Sequence, residues 1–130
     1  MMRFLIADGP TNTISTCEEG GGNRHVLITD GMTPNWTPDR RIIFVALRGT
    51  PQIWIMDENG SNQWQLANLP WSGVEGGPIM PQLAWNGTLV FQKQMASGSE
   101  IHAMHWDGSN ERVLVHSDQH SSPVRVVVAP

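Results

Sequence analysis

Three copies of one hairpin constrain this chain more than any other feature. The reference copy is residues 52–66, QIWIMDENGSNQWQL. Ile53, Trp54, Ile55 and Met56 form an unbroken run of β-branched or bulky apolar residues, which suits a strand buried on both faces. Asp57, Asn59 and Gly60 supply the side-chain-to-backbone bonds and the positive φ that reverse a chain. Beyond them Trp64 and Leu66 alternate with Gln63 and Gln65, the pattern of a half-exposed outer strand. Gly60 to Leu66 is echoed by Gly108 to Leu114, a shift of 48, and by Gly21 to Leu27, a shift of 39. Upstream apolar positions keep the register. Ile53 matches Ile101 at the first shift and Ile14 at the second, and Phe44 lies 47 residues before Phe91.

Strand-only units recurring at roughly 40 to 50 residues are the pattern of β-propeller blades. The first unit, residues 2–29, has three strands, with Gly9-Pro10 and Gly20-Gly21-Gly22 as turns. Asp30-Gly31 punctuates. The second unit, residues 34–67, has four strands and opens with Pro34-Asn35-Trp36-Thr37-Pro38-Asp39; the third, residues 81–116, also has four and turns at Asn86-Gly87, Ser97-Gly98-Ser99 and Asp107-Gly108. Between the last two units, residues 67–80 are too rich in Gly and Pro for a strand or helix, and connections of this length are more often functional than filler. After a polar loop the chain ends on residues 123–130, PVRVVVAP, a strand with no partner in its own unit. No segment has a sustained helical period.

Composition narrows the function classes. A net charge of −4 with only 8 Lys and Arg supplies no basic stripe, which argues against nucleic acid or an anionic membrane surface as a partner. Cys17 is the single cysteine, so no internal disulfide forms. Residues 1–9 lack the features of a secretory signal and no run reaches transmembrane length, which makes the cytoplasm the default expectation.

The motifs Pro34-Asn35-Trp36-Thr37-Pro38-Asp39 and Ile53-Trp54-Ile55-Met56-Asp57-Glu58-Asn59-Gly60 through Leu66 resemble the TolB-type, WD-like propeller repeat. The third unit keeps Trp85, Ile101, Met104, Asp107, Gly108 and Leu114 but has Asn-Gly in place of the Pro-Asp turn; the first keeps Ile14, Gly21 and Leu27. The resemblance implies structural roles for Trp36, Pro38, Asp39, Asp57, Gly60, Trp85, Asp107 and Gly108. Members of this repeat family include binding proteins, peptidase propellers and sugar-acid lyases, so the fold names no chemistry.

Candidate sites are few. Trp36, Trp54, Trp85 and Trp106 are read as strand residues packed between blades. Trp71 lies beside Glu75 in the long Gly and Pro connection, where an aromatic face next to a carboxylate suits stacking on a sugar or clamping a peptide; anchoring the loop onto the blade below is the other reading. His102 and His105, three apart on a strand, point to opposite faces and cannot share an ion. His116, Asp118 and His120 alternate by two and can converge, yet a solvated polar loop accounts for them equally, so no metal and no cofactor is assigned. The catalytic inventory is empty: Cys17 has no motif around it, and Asp39, Asp57 and Asp107 belong to turns.

Three blades do not close a ring, and an open set leaves sheet edges and apolar faces exposed. The first unit lacks an innermost strand while the tail offers a spare one. Across a junction between two chains, the spacing from Gly108 to the next Gly21 falls within the range of the other two. The expectation is a homodimeric, six-bladed propeller of four-stranded blades, with residues 123–130 of each chain exchanged into the other's first blade. It engages a macromolecular partner, protein or glycan, non-enzymatically through the loops of one face; a lectin-like carbohydrate binder is the alternative, and a lyase or hydrolase the third reading.

Overall fold

The computed structural model describes residues 2–66, 69, 78–95 and 98–117, with the backbone alone for residues 78, 79, 94 and 95. The C-terminal tail and its proposed exchange lie outside the described residues. Among the described residues, eleven strands form three antiparallel meanders. The first sheet holds β1 (Arg3–Asp8), β2 (Thr13–Glu18) and β3 (His25–Ile28). The second holds β4 (Gly31–Trp36), β5 (Ile42–Ala46), β6 (Gln52–Met56) and β7 (Trp64–Gln65); the third holds β8 (Pro78–Leu83), β9 (Thr88–Met95), β10 (Gly98–His105) and β11 (Arg112–Ser117).

Period-two alternation of apolar residues makes these sheets a stack. In β5 every residue is apolar, so both faces can be buried. Ile42, Phe44 and Ala46 turn toward the first sheet and join Ile14, Ile28 and Met56 in one core. Ile43, between them, turns the other way and joins Ile53, Ile55, Leu66, Leu89, Phe91 and Met104 in a second core against the third sheet. On the far face of the third sheet Val90, Ile101 and Ala103 form a third cluster.

The repeated hairpin folds the same way three times. In each, two backbone bonds close the turn: Asp57 N to Ser61 O and Gly60 N to Asp57 O, with counterparts at Glu18–Gly22 and His105–Ser109. Gly21, Gly60 and Gly108 take φ of 84°, 88° and 89°, and two residues on Asn23, Asn62 and Asn110 are also left-handed, at 49°, 52° and 58°. Only Gly and Asn enter that region at low cost, which is why the Gly-x-Asn spacing survives where the other positions drift.

The innermost strands repeat at 47 residues. Both β4 and β8 carry a bulge, at Met32/Asn35 and Ile79/Gln82, and within it Thr33 and Met80 have φ of 45° and 55°. The Met80 amide donates to Thr33 Oγ1 at 3.1 Å, joining the two bulges. Sheet one has no such strand among the described residues, and its β1 packs on β4 as β5 packs on β8.

Several expectations from the sequence need correction. Gly31 does not only punctuate: it begins β4, where its missing side chain makes room for Ile14, Ile28 and Phe44. Pro78, Ile79 and Met80, read as loop, begin β8. Trp85 and Trp106 are neither in strands nor in a core, because each lies within a tight turn and is respectively 71% and 48% exposed. The 47-residue shift explains Trp85. The turn Thr37–Arg41 and the turn Ala84–Thr88 carry the same pair of backbone bonds, so Trp85 occupies the place of Pro38, and Leu83 that of Trp36.

Candidate functional site

Neighbouring strands run antiparallel, so the β4–β5 and β6–β7 turns leave the second sheet at one end, and the β8–β9 and β10–β11 turns leave the third sheet at the same end. Between these turns lies a cleft of about 300 Å³, at the small end of the range for ligand-binding pockets. Its floor includes Ile55, Leu66 and Leu83, and its walls carry Trp64, Trp85 and Trp106, with Pro38, Asp39 and Arg41 at one side.

Each tryptophan is placed by turn chemistry. Trp64 opens β7 directly after the Asp57–Ser61 turn, opposite Ile55. Trp106 follows His105 into the turn that Gly108 completes, and its backbone N–H donates to Gly87 O at 3.0 Å. Gly87, at φ 84°, also makes space for the Trp106 ring, since a Cβ there would stand 3.1 Å from Trp106 Cδ1. Trp64 and Trp106 meet edge to face, centroids 6.0 Å apart and planes at 87°, an arrangement favoured by the ring quadrupoles.

The polar side of the cleft is a neutral, closed pair. Asp39 accepts from the Thr37 hydroxyl through one carboxylate oxygen and from Arg41 Nε, at 2.9 Å, through the other. The Thr37 hydroxyl first, then the Arg41 guanidinium, hold the Asp39 carboxyl below the usual carboxylate range against the cost of burial. Arg41 spends one donor on this pair. Among the described residues its two Nη groups have no partner, nor do the indole N–H groups of Trp64, Trp85 and Trp106.

A second polar cluster sits at the opposite end of the third sheet. Glu100 accepts from His102 Nε2 at 2.9 Å and from His116 Nδ1 at 3.0 Å. The His102 bond first, and then the His116 bond, keep the Glu100 carboxyl low. His102 is buried, stacks on Phe91 with centroids 5.4 Å apart, and leaves Nδ1 unbonded 3.8 Å from Glu111. Among the described residues no group of three His, Cys, Asp or Glu side chains has the geometry to hold a metal.

Of the residues proposed from sequence for the loop face, His116 is described and bonds Glu100, while Trp71, Glu75, Asp118 and His120 lie outside the described residues. Trp36 is half-buried in β4 with Arg40 over its ring at 5.9 Å. Asp57 accepts from Asn62 Nδ2 at 2.6 Å, and Asp107 accepts from Ser109 N at 3.0 Å, the role that Asn59 plays toward Ser61. Trp64 and Arg41 had no place among the candidates. A usable signal for the cleft was present: Trp85 and Trp106 directly precede Asn86-Gly87 and Asp107-Gly108, and an aromatic abutting a turn dipeptide cannot be a strand-centre core residue.

No protein-family model matches the chain, and no curated protein matches it. Among solved structures, a putative TolB from Agrobacterium tumefaciens is similar over 94% of this chain and 49% of its own, with a TM-score of 0.67 at 19% identity. TolB from Acinetobacter baumannii is similar over 87% of this chain and 30% of its own, with a TM-score of 0.65 at 18% identity. The chain thus spans about half or less of the length of the structures it resembles. With three antiparallel sheets packed face to face and these neighbours, the chain has the fold of a TolB-like β-propeller.

Proposed function

We propose that this chain is a non-enzymatic binding scaffold whose partner is a protein, engaged at the end of the sheets where the tryptophan cleft opens. The observation that carries this reading is the gathering of three exposed tryptophans, from three different turns and strands, around one cleft. Tryptophan and arginine are enriched among the residues that dominate the energetics of protein interfaces, and Trp64, Trp85 and Trp106 gather exposed aromatic surface at one place. The commitment of Asp39, Asp57 and Asp107 to turn bonds supports a role other than acid–base chemistry for these carboxylates. Panning a displayed random-peptide library on the immobilised protein tests the reading. Enriched peptides that bind the wild type and lose binding on Trp85→Ala and Trp106→Ala support it; enrichment indifferent to both substitutions overturns it.

The same proposal includes closure by a second copy into a six-bladed ring, with residues 123–130 of each chain completing the other's three-stranded first sheet. Support comes from the two ends of the stack. Met2, just before β1, and Phe4 and Val26 of the first sheet are exposed, as are Val113, Leu114 and Val115 on the last strand of the third. Apolar groups on both terminal sheets are what a head-to-tail ring would cover. Light scattering that gives twice the chain mass, reduced to aggregate or monomer by removal of residues 123–130, is the expected result. A folded monomer at micromolar concentration overturns it.

A further inference from the structure

Two sheet-to-sheet joints lie inside the chain, and both use the same places in the repeat. At the first, Ile14 and Leu27 of the first sheet pack toward the second; at the next, Ile53 and Leu66, a shift of 39 on, pack toward the third. A shift of 87 from Ile14 and Leu27 gives Ile101 and Leu114 on the third sheet, and the strand registers agree. The β2–β3 pair slips between Ile14 and Ser15, and the β10–β11 pair slips between Ile101 and His102. Ile28, opposite Ile14, thus corresponds to Val115, opposite Ile101.

The burial of these counterparts differs. Ile28 is 7% exposed and Leu27 packs on the first core, whereas Val115 is 44% and Leu114 50% exposed. Val90, Ile101 and Ala103 form a cluster that holds residues of the third sheet alone. Gln92, opposite Ile101, is buried on the same face, and its Nε2 has no bonding partner among the described residues. This is the face that a sheet offers to its successor, and here no described sheet follows.

The first sheet carries the complementary face. Cys17, Met56 and Met104 occupy one place in the hairpin repeat, and their register partners are Phe4, Ile42 and Leu89. Ile42 and Met56 receive the first sheet, and Leu89 and Met104 receive the second. Those four side chains are fully buried, yet Phe4 is 42% exposed. One terminal face is therefore built to meet a successor and the other a predecessor, so each fits the other rather than its own kind.

Resting on the reading that a second copy closes the ring, we propose that the closing joint repeats the internal ones: Ile101, Leu114 and Val115 of one copy pack against Phe4 and Cys17 in the first sheet of the other, and the reciprocal contact makes the second joint.

Charge reversal across the joint tests this. Leu114→Lys and Phe4→Asp alter exposed positions and should leave far-UV circular dichroism unchanged. Each dimer holds two such joints, so a loss of about tenfold at each, as for an interface anchor, should raise the dissociation constant about a hundredfold in sedimentation runs over a concentration series. The double variant sets opposite charges face to face at both joints and should recover about tenfold or more of that loss. Urea midpoints at fixed protein concentration report the same pattern should the separated copies unfold. Wild-type affinity in both single variants overturns the proposal. So does loss with Leu114→Lys alone and no recovery in the double variant, the pattern of two third sheets meeting each other; either result leaves a dimer standing. A wild-type chain that is a folded monomer overturns both this joint and closure of the ring.

Discussion

Gly31→Ala probes the packing of the first sheet on the second with a single carbon. Gly31 is buried at the start of β4, and its φ is not left-handed, so the backbone itself accepts alanine. The space does not. A Cβ there overlaps Ile28 Cδ1 and stands 2.9 Å from Ile14 Cδ1 and 3.2 Å from Phe44 Cδ2. Ile14, Ile28 and Phe44 all belong to one buried cluster, so none can yield without displacing another. Overpacking of this kind costs about 1 to 3 kcal/mol, and the loss of glycine's unfolded-state freedom returns about 0.4 to 1 kcal/mol, so the middles of the two ranges leave a net destabilisation of about 1.3 kcal/mol. Urea unfolding at fixed protein concentration reads this as a lower midpoint at unchanged slope. The decisive arm is the pair with Ile28→Val, which removes the carbon that collides. Alone, Ile28→Val should cost about 0.5 to 1.5 kcal/mol. In the Gly31→Ala background it should cost less, with a coupling of at least about 0.5 kcal/mol in the favourable direction. Strict additivity, or a neutral Gly31→Ala, would refute this account of how the two sheets meet.

Three further outcomes follow from the same coordinates. Trp36→Ala should cost about 2 to 4 kcal/mol, since its half-buried ring packs on the first core, whereas Trp85→Ala should stay within about 0.5 kcal/mol; thermal unfolding of both checks the contrast. Gln52 is buried and binds Leu69 twice, Nε2 to O at 2.9 Å and N to Oε1 at 2.8 Å, so Gln52→Leu should cost about 1 to 3 kcal/mol in urea unfolding by stranding both backbone groups. The carboxyls of Asp30, Asp39 and Glu100 are held low, chiefly by bonds from Arg48, Thr37 and His102; a depressed folded-state value stabilises above the unfolded carboxyl range and the benefit disappears as pH falls through the folded one. The urea midpoint should therefore drop progressively below about pH 4.5, and less steeply in Asp39→Asn.

The fold was legible because its information is periodic. A hairpin that needs Gly and Asn in left-handed positions leaves a mark that packing cannot blur, and Gly21, Gly60 and Gly108 carry it with Asn23, Asn62 and Asn110. The unbroken apolar run Ile53 to Met56 signals a strand with two covered faces before any partner is known. Other features leave no such mark. Gly31 reads as punctuation because a residue without a side chain gives no sign of being surrounded, and the Gln52–Leu69 clamp joins positions 17 apart through a side chain that sequence reasoning assigns to the surface. Pro78 to Met80 were hidden by a bulge, which lets proline and a left-handed methionine enter a strand that period-two reading rejects.

The cleft was missed for a reason that bears on propellers in general. Size and hydrophobicity send every tryptophan to the interior, and for Trp36 and Trp54, which pack on a core, that inference serves. It fails for Trp85 and Trp106 because burial between blades is fixed by what the adjacent sheet presents across the gap, and the turns at one end of each sheet have no adjacent strand to meet. Of the candidates read from the sequence, His116 belongs to the opposite end of the third sheet, and residues 67, 68 and 70–77 of the long connection lie outside the described residues. The turns that line the cleft are short, so loop length gives no sign of it. Two blades contribute to it jointly: Pro38, Asp39, Arg41 and Trp64 from one, Trp85 and Trp106 from the next. A site of this kind exists only in the spacing between repeats, so substitutions that tilt one sheet against the other should alter binding at the cleft without touching a residue that lines it. Leu89→Ala, which thins the core between the second and third sheets, is the direct case: a cavity-forming change there should weaken peptide binding while leaving every cleft side chain in place. Retention of wild-type affinity by that variant, with its stability lowered as expected, would mean that the cleft is set by its turns alone.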